Sequence, residues 1–115
     1  MKLKVTITGP KVHDVDCRFF LTSMAMAGGI RMFEAYNAIG KGGQQVHVFV
    51  DGEEESVKAY CDQVQSSCPA LAEVSGIAIE GCDRDVMKIG EYAQFYSTVI
   101  LNKFIQRVEE STSRP

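Results

Sequence analysis

The sequence predicts a single α/β domain in which an antiparallel sheet carries two helices on one face, followed by a further helix at the C-terminus. Three observations support this prediction. Segments with apolar residues at every second position alternate with segments of helical spacing, in the order strand, helix, strand, strand, helix, strand. A glycine-rich connection joins the second and third strands, as in a hairpin. The length of 115 residues is that of one domain.

The first strand is predicted over residues 3–9, because its apolar side chains alternate with polar ones. A helix follows, and the pair Gly28-Gly29 is expected to end it. The core-facing residues of this helix are predicted from their spacing to be Phe19, Phe20, Met24 and Ala27.

The second and third strands are predicted over residues 31–39 and 44–52. Asp51 ends the third strand and is predicted to cap the N-terminus of a helix over residues 53–67. A last strand is expected within residues 72–81. The buried stripe of the second helix is predicted to be Val57, Tyr60, Cys61 and Val64.

Two strand–helix–strand units around a hairpin form the split-βαβ or ferredoxin-like sandwich, which we assign to residues 1–88. A long helix is predicted over residues 89–110 and a disordered tail over residues 111–115. The helix either packs on the domain or forms a seam with a second subunit in a homo-oligomer. Its apolar positions recur at about 3.6 residues and are Ile89, Tyr92, Phe95, Tyr96, Val99, Ile100, Phe104 and Val108.

The composition argues against several classes of function. The net charge of −3, with both signs interspersed, does not suit a general nucleic-acid binder, which needs a basic surface. The sequence has no apolar run long enough to span a membrane, and its alternating N-terminus is unlike a signal peptide, so a cytoplasmic location is expected. No C-x-x-C pair indicates a metal site, and no cofactor is predicted. Small buried apolar roles are expected for Cys17, Cys61, Cys68 and Cys82.

The segment KVHDVDCR, residues 11–18, separates the first strand from the first helix. Backbone N–H groups at the N-terminus of a helix are free to bind an anion, and the helix dipole favours a negative charge there. Arg18 adds a guanidinium that can bind two phosphate oxygens at once. From the residues alone, the segment is either a small anion-binding loop or a surface turn followed by an ordinary arginine.

The chain resembles the acylphosphatases over residues 3 to about 82. Their signature loop reads roughly G-R-V-Q-G-V-G-F-R, and its part R-V-Q-G-V-G-F-R aligns without a gap with residues 11–18, which keep both valines and the closing arginine. Their second motif, G-W-V-x-N, lies along residues 31–37, where an aromatic residue and Asn37 remain. The later segment SSCPALAEVSGI is similar to the family's G-P-P-x-A-x-V-x-x-V.

The resemblance implies an enzyme that hydrolyses the carboxyl–phosphate bond of small acyl phosphates without a metal or other cofactor. It implies that Arg18 binds the phosphate, that Asn37 orients the attacking water, and that the loop amides complete the phosphate site. The implied partner is a small acyl phosphate or an inorganic anion. The implied substrate-binding residues are Lys11, Val12, His13, Asp14, Val15, Asp16 and Cys17.

Asp14 and Asp16 replace two glycines of the family loop and leave other functions open. They cancel the charge of the two loop cations, and a carboxylate about 6 Å from a phosphate charge costs on the order of 3 kcal/mol. The fold could therefore serve as a binding module that has lost phosphate binding. Alternatively, the two aspartates and Glu34 could bind a divalent cation, or the Cys17 thiolate could act as a nucleophile.

Overall fold

The computed structural model describes residues 1–13, 17–67 and 74–98, and these contain the predicted order of elements. The strands are β1 (Lys2–Gly9), β2 (Met32–Gly40), β3 (Gly43–Asp51) and β4 (Gly76–Gly81). The helices are α1 (Cys17–Ala27), α2 (Glu54–Ser66) and α3, whose described part covers residues 89–98. No helix in these ranges is long and apolar enough to cross a membrane. The rest of the predicted C-terminal helix and the predicted tail, residues 99–115, lie outside the described residues.

The four strands form one antiparallel sheet in the order β2-β3-β1-β4. The predicted ferredoxin-like arrangement is therefore confirmed. Because β1 and β2 both pair antiparallel with β3, they point in the same direction, so Gly9 and Gly40 lie at the same end of the sheet. The predicted hairpin turn also lies there. Gly43 in this turn has a φ of 113°, and a Cβ on it would lie 3.2 Å from the Gly9 carbonyl oxygen, so this position requires glycine.

One face of the sheet encloses the core together with α1 and α2. The alternation predicted for the strands is confirmed, since Val5, Val46 and Val48 are fully buried. The stripe predicted for α2 is confirmed at all of its positions. The Tyr60 hydroxyl of α2 also donates a hydrogen bond to the Leu21 carbonyl of α1 at 3.0 Å. Each fully buried aliphatic or aromatic side chain contributes about 1.5–3 kcal/mol, so these contacts hold both helices against one face.

Helix α1 buries a different stripe from the predicted one. Phe19 is 59% exposed and Ala27 is exposed, so the prediction that they face the core is wrong. Phe20 and Met24 are only partly buried. The sequence of α1 carries two apolar stripes one residue apart, and the stripe with smaller side chains lets the helix approach the sheet more closely. The buried residues are Cys17, Leu21, Thr22 and Ala25.

The predicted cap of α2 is also wrong. Asp51 is still part of β3, where it pairs with Lys2 of β1 and Met32 of β2. Its carboxylate lies 3.9 Å from the N-terminal amine. Helix α2 begins at Glu54, and Glu53 at the cap position makes no capping hydrogen bond through its side chain. Strand pairing on both sides therefore determines the role of Asp51.

The described part of α3 packs against β2 on the face that carries the other helices. The chain enters α3 through a bridge between Lys88 and Met32, at the start of β2. The ring of Tyr92 lies 5.3 Å from the ring of Phe33, centre to centre, and its hydroxyl donates to the Ala35 carbonyl at 3.0 Å. Residues 89–98 thus pack on the domain, which is one of the two arrangements that the sequence predicts.

Candidate functional site

Three segments meet at the end of the sheet where β1 stops. The described part of the β1–α1 loop, residues 10–13, and the first turn of α1 lie there, because the chain leaves β1 at Gly9. Asn37 lies near the same end of β2, on the helix-bearing face, since it alternates in phase with the buried residues Phe33 and Ala35. The fold therefore brings Arg18 and Asn37 to one end and one face of the domain.

The described part of the loop directs two backbone donors at a single oxygen. The N–H groups of Val12 and His13 both donate to Gln44 Oε1, at 3.0 and 2.9 Å. Gln44 lies on β3 opposite Gly9, so its side chain is next to the loop. The His13 ring is also held, with Nε2 2.8 Å from the Gln45 carbonyl oxygen. Two amides that converge on one acceptor form the arrangement that binds an oxygen of a phosphate or carboxylate.

The other predicted loop residues divide between surface and core. Lys11 is exposed, whereas the Val12 side chain is buried in the core and anchors the loop. Cys17 is 3% exposed and belongs to the same core cluster. A reactive thiolate has to be accessible, so burial favours the apolar role of Cys17 over the nucleophilic one. The structure does not describe Asp14, Val15 and Asp16.

Arg18 contacts the C-terminal helix. Its guanidinium carbon lies 4.9 Å from the centre of the Tyr96 ring, which is a cation–π contact. Tyr96 packs edge-on against Tyr92, with ring centres 5.9 Å apart. Burial raises the pKa of Tyr92 to about 12, and the nearby charge of Arg18 partly offsets that rise. Arg18 is half-buried, so its charge lies where the two helices meet the solvent.

Asn37 is exposed on β2, at the edge of the sheet. It pairs with Val46, and Gln44 therefore lies diagonally across from it on the same face, at a separation of about 7–8 Å for such neighbours. In the described part of the chain, the Asn37 side chain makes no hydrogen bond. Its carboxamide is therefore available to hold a water molecule.

Tyr96 follows Tyr92 by about one turn of α3. Tyr92 contacts Ala35 of β2, and Tyr96 contacts Arg18. Helix α3 therefore contacts both the strand that carries Asn37 and the side chain of Arg18.

Glu34 lies on the opposite face of the sheet and is 4% exposed. Its Oε1 accepts a hydrogen bond from the Met87 amide at 3.2 Å, and its Oε2 lies 3.0 Å from Arg84 Nη2. Arg84 in turn lies over the ring of Phe49, at 4.3 Å from its centre. Within the described residues, no three histidine, cysteine or acidic side chains are grouped to hold a metal. The ion pair gives Glu34 a structural role, separate from the loop.

A second cleft lies at the opposite end of β2. It has a volume of about 750 Å³ and lies between the end of α1 and the start of α3. Arg31 and Lys88 line it, together with Glu91. Its two basic side chains make this cleft an alternative to the β1–α1 loop as an anion-binding site, and replacing Arg31 tests whether an anion binds there.

Sequence reasoning missed two residues at the candidate site, Gln44 and Tyr96. Gln44 is a polar residue in the row of β3 side chains that face the core, where the other members are valines. A polar residue at an apolar position of the alternating pattern is the signal that could have identified it. The sequence places Tyr96 only in the apolar stripe of the last helix. Its contact with Arg18 joins residues far apart in the chain, so no local pattern predicts it.

Solved structures with a similar fold include two acylphosphatases. The acylphosphatase from Bacillus subtilis matches with a TM-score of 0.56 and 16% sequence identity, over 72% of this chain and 86% of that chain. The acylphosphatase from Coxiella burnetii matches with a TM-score of 0.52 and 20% identity, over 73% of this chain and 82% of that chain. Full-length HypF in a phosphate- and nucleotide-bound form matches with a TM-score of 0.58 and 20% identity, over 72% of this chain and 10% of that chain.

By sequence, no family model and no characterised protein matches the chain. The structural matches show that the chain has the acylphosphatase fold, in agreement with the resemblance noted in the sequence. At 16% and 20% identity, they show the fold alone. The activity has to be argued from the residues at the end of the sheet.

Proposed function

We propose that the protein hydrolyses the carboxyl–phosphate bond of small acyl phosphates at the end of the sheet that carries the β1–α1 loop. The observation that carries this proposal is the convergence of the Val12 and His13 amides on one oxygen. Arg18 lies in the adjacent first turn of α1, and Asn37 lies at the same end of β2. The resemblance to acylphosphatases assigns phosphate binding and water orientation to these two residues.

In the proposed reaction, a phosphate oxygen of the substrate takes the place of Gln44 Oε1 and accepts the two amide hydrogen bonds. The N–H groups at the edge of the Arg18 guanidinium bind further phosphate oxygens. The Asn37 carboxamide orients a water molecule, whose oxygen attacks phosphorus while the bond from phosphorus to the acyl oxygen breaks. The products are inorganic phosphate and a carboxylate, and the proton released by water passes to solvent.

Positioning and charge stabilisation are sufficient for this reaction because an acyl phosphate already has a good leaving group. The contribution expected of one preorganised donor is roughly 10²–10³ in kcat. The two loop aspartates limit the phosphate affinity, because a carboxylate about 6 Å from the phosphate opposes binding by on the order of 3 kcal/mol. The proposal therefore requires that the carboxylates of Asp14 and Asp16 point away from the bound phosphate.

A second candidate function is a binding module without phosphate chemistry. The observation that favours it is the engagement of both loop amides by Gln44, which leaves neither donor free in this structure. In that function Gln44 is a permanent internal ligand, and the domain binds a partner through another surface. The two functions differ in one measurable property, the binding of inorganic phosphate at Arg18.

The test is the hydrolysis of benzoyl phosphate in the presence of a metal chelator, with phosphate as a competitor. We expect activity that phosphate inhibits competitively and that falls by about 100-fold or more in Arg18→Ala and in Asn37→Ala. The matched control is Arg31→Ala in the second cleft, which should leave kcat/KM unchanged. If the wild-type protein neither hydrolyses benzoyl phosphate nor binds phosphate, the result would support the second candidate function, a binding module without phosphate chemistry. An equal loss in Arg31→Ala would move the anion site to the second cleft.

A further inference from the structure

The contact between α1 and α3 shows how Arg18 is held. The guanidinium carbon lies 4.9 Å from the centre of the Tyr96 ring, within the range of a cation–π contact. A guanidinium binds phosphate through the N–H groups at its edge, not through its face. The contact with Tyr96 and the binding of a phosphate are therefore compatible, and the contact restricts where the guanidinium lies.

Tyr96 is itself fixed by a series of contacts that starts in the sheet. The rings of Tyr92 and Tyr96 pack in a T-shaped arrangement, with their centres 5.9 Å apart. The Tyr92 ring also lies against Phe33 of β2, and its hydroxyl donates a hydrogen bond to the Ala35 carbonyl. Tyr92 is 2% exposed and Tyr96 is 7% exposed, so neither ring can turn away easily. Strand β2 also carries Asn37, so this series connects the position of the arginine to the strand that holds the water-orienting residue.

We propose that Tyr96 is a positioning residue for Arg18 and that helix α3 completes the phosphate site. This inference rests on the proposed function, in which Arg18 binds the substrate phosphate. A long arginine side chain in the first turn of a helix has many accessible rotamers, and ordering them opposes binding. The Tyr96 ring restricts those rotamers before the phosphate arrives, so its loss should weaken phosphate binding and raise KM more than it lowers kcat.

The test measures the dissociation constant of inorganic phosphate, the thermal unfolding midpoint, and KM and kcat for benzoyl phosphate. Tyr96→Phe keeps the ring and should bind phosphate as the wild type does. Tyr96→Leu keeps an apolar side chain without the ring and should bind phosphate about tenfold more weakly. Phe95→Leu makes the same kind of change at an exposed neighbour on α3 and should have no effect on phosphate binding.

A chain with trifluorinated phenylalanine at position 96 tests whether the ring positions Arg18, even if Tyr96→Leu does not fold. Fluorination weakens the attraction of the ring for a cation at nearly constant shape, so phosphate binding should be weaker than in Tyr96→Phe. Equal phosphate affinity in the fluorinated and unfluorinated chains would overturn a positioning role through the cation–π contact and leave the proposed function intact. Wild-type protein that binds no phosphate would overturn both.

Discussion

Replacing Gln44 by glutamate tests whether the Val12 and His13 amides belong to the phosphate site. Gln44 Oε1 accepts both N–H groups, at 3.0 and 2.9 Å. Glutamate has nearly the same shape and offers an anionic oxygen at this position. Hydrogen bonds to a charged group contribute about 1.5–3 kcal/mol, compared with about 1 kcal/mol for a neutral pair. The loop should therefore be held more tightly in Gln44→Glu than in the wild type.

The same change should oppose phosphate binding strongly. A phosphate that takes over the two amides has to displace the carboxylate and remain near it. Two like charges about 5 Å apart repel by on the order of 3 kcal/mol at an effective dielectric constant of 20. With the stronger hydrogen bonds that have to be broken, phosphate affinity should fall by roughly 10²- to 10³-fold at neutral pH.

The assay is competitive inhibition of acyl-phosphate hydrolysis by inorganic phosphate, with the thermal unfolding midpoint recorded for each variant. Gln45→Glu is the matched control, because Gln45 is adjacent in sequence but belongs to the opposite face of the sheet, where its Oε1 lies 2.8 Å from His47 Nε2. This control adds the same charge and should weaken phosphate binding much less. Equal losses in the two variants, or unchanged affinity in Gln44→Glu, would refute the assignment of the loop amides to the phosphate site.

Two further predictions concern stability. Tyr92→Phe should lower the free energy of unfolding by about 1 kcal/mol, because it removes the hydrogen bond to the Ala35 carbonyl; denaturant unfolding measures this, and an unchanged free energy would contradict it. Burial, with the positive charge of Lys4 as a smaller cause, lowers the pKa of His47 below its usual 6.5. The folded protein therefore opposes protonation of His47, and stability that is present above pH 6.5 is lost as the pH falls through the lowered value. His47→Gln should flatten this acid decline in unfolding titrations, and an equally steep decline would show that other groups cause it.

Strong local patterns predicted most of the fold. The four-residue stripe of α2 is confirmed, and Val46, Val48 and Val50 of β3 are buried as their alternation predicts, although Phe49 on the other face is buried as well. In α1, two overlapping apolar stripes satisfy the same period, and only packing against the sheet selects between them. The assignment of Asp51 as a cap failed because helix α2 begins at Glu54, with Glu53 at the cap position, two residues after Asp51.

The candidate site was predicted less completely. The loop position and the two residues that the resemblance implies, Arg18 and Asn37, come from motifs that are continuous in the sequence. The acceptor of the loop amides is Gln44 of a different strand, and the support of Arg18 is Tyr96 of the last helix. Both contacts depend on register and helix packing, so no single segment of the sequence contains them.

The most direct test of the proposed activity is the hydrolysis of benzoyl phosphate in ¹⁸O-labelled water. If Arg18 holds the phosphate and Asn37 orients the water, the water oxygen attacks phosphorus. We predict that the wild-type protein accelerates hydrolysis and places the label in inorganic phosphate, and that Arg18→Ala abolishes the acceleration. Hydrolysis at the rate of buffer alone, or label in benzoate, would contradict the proposed function.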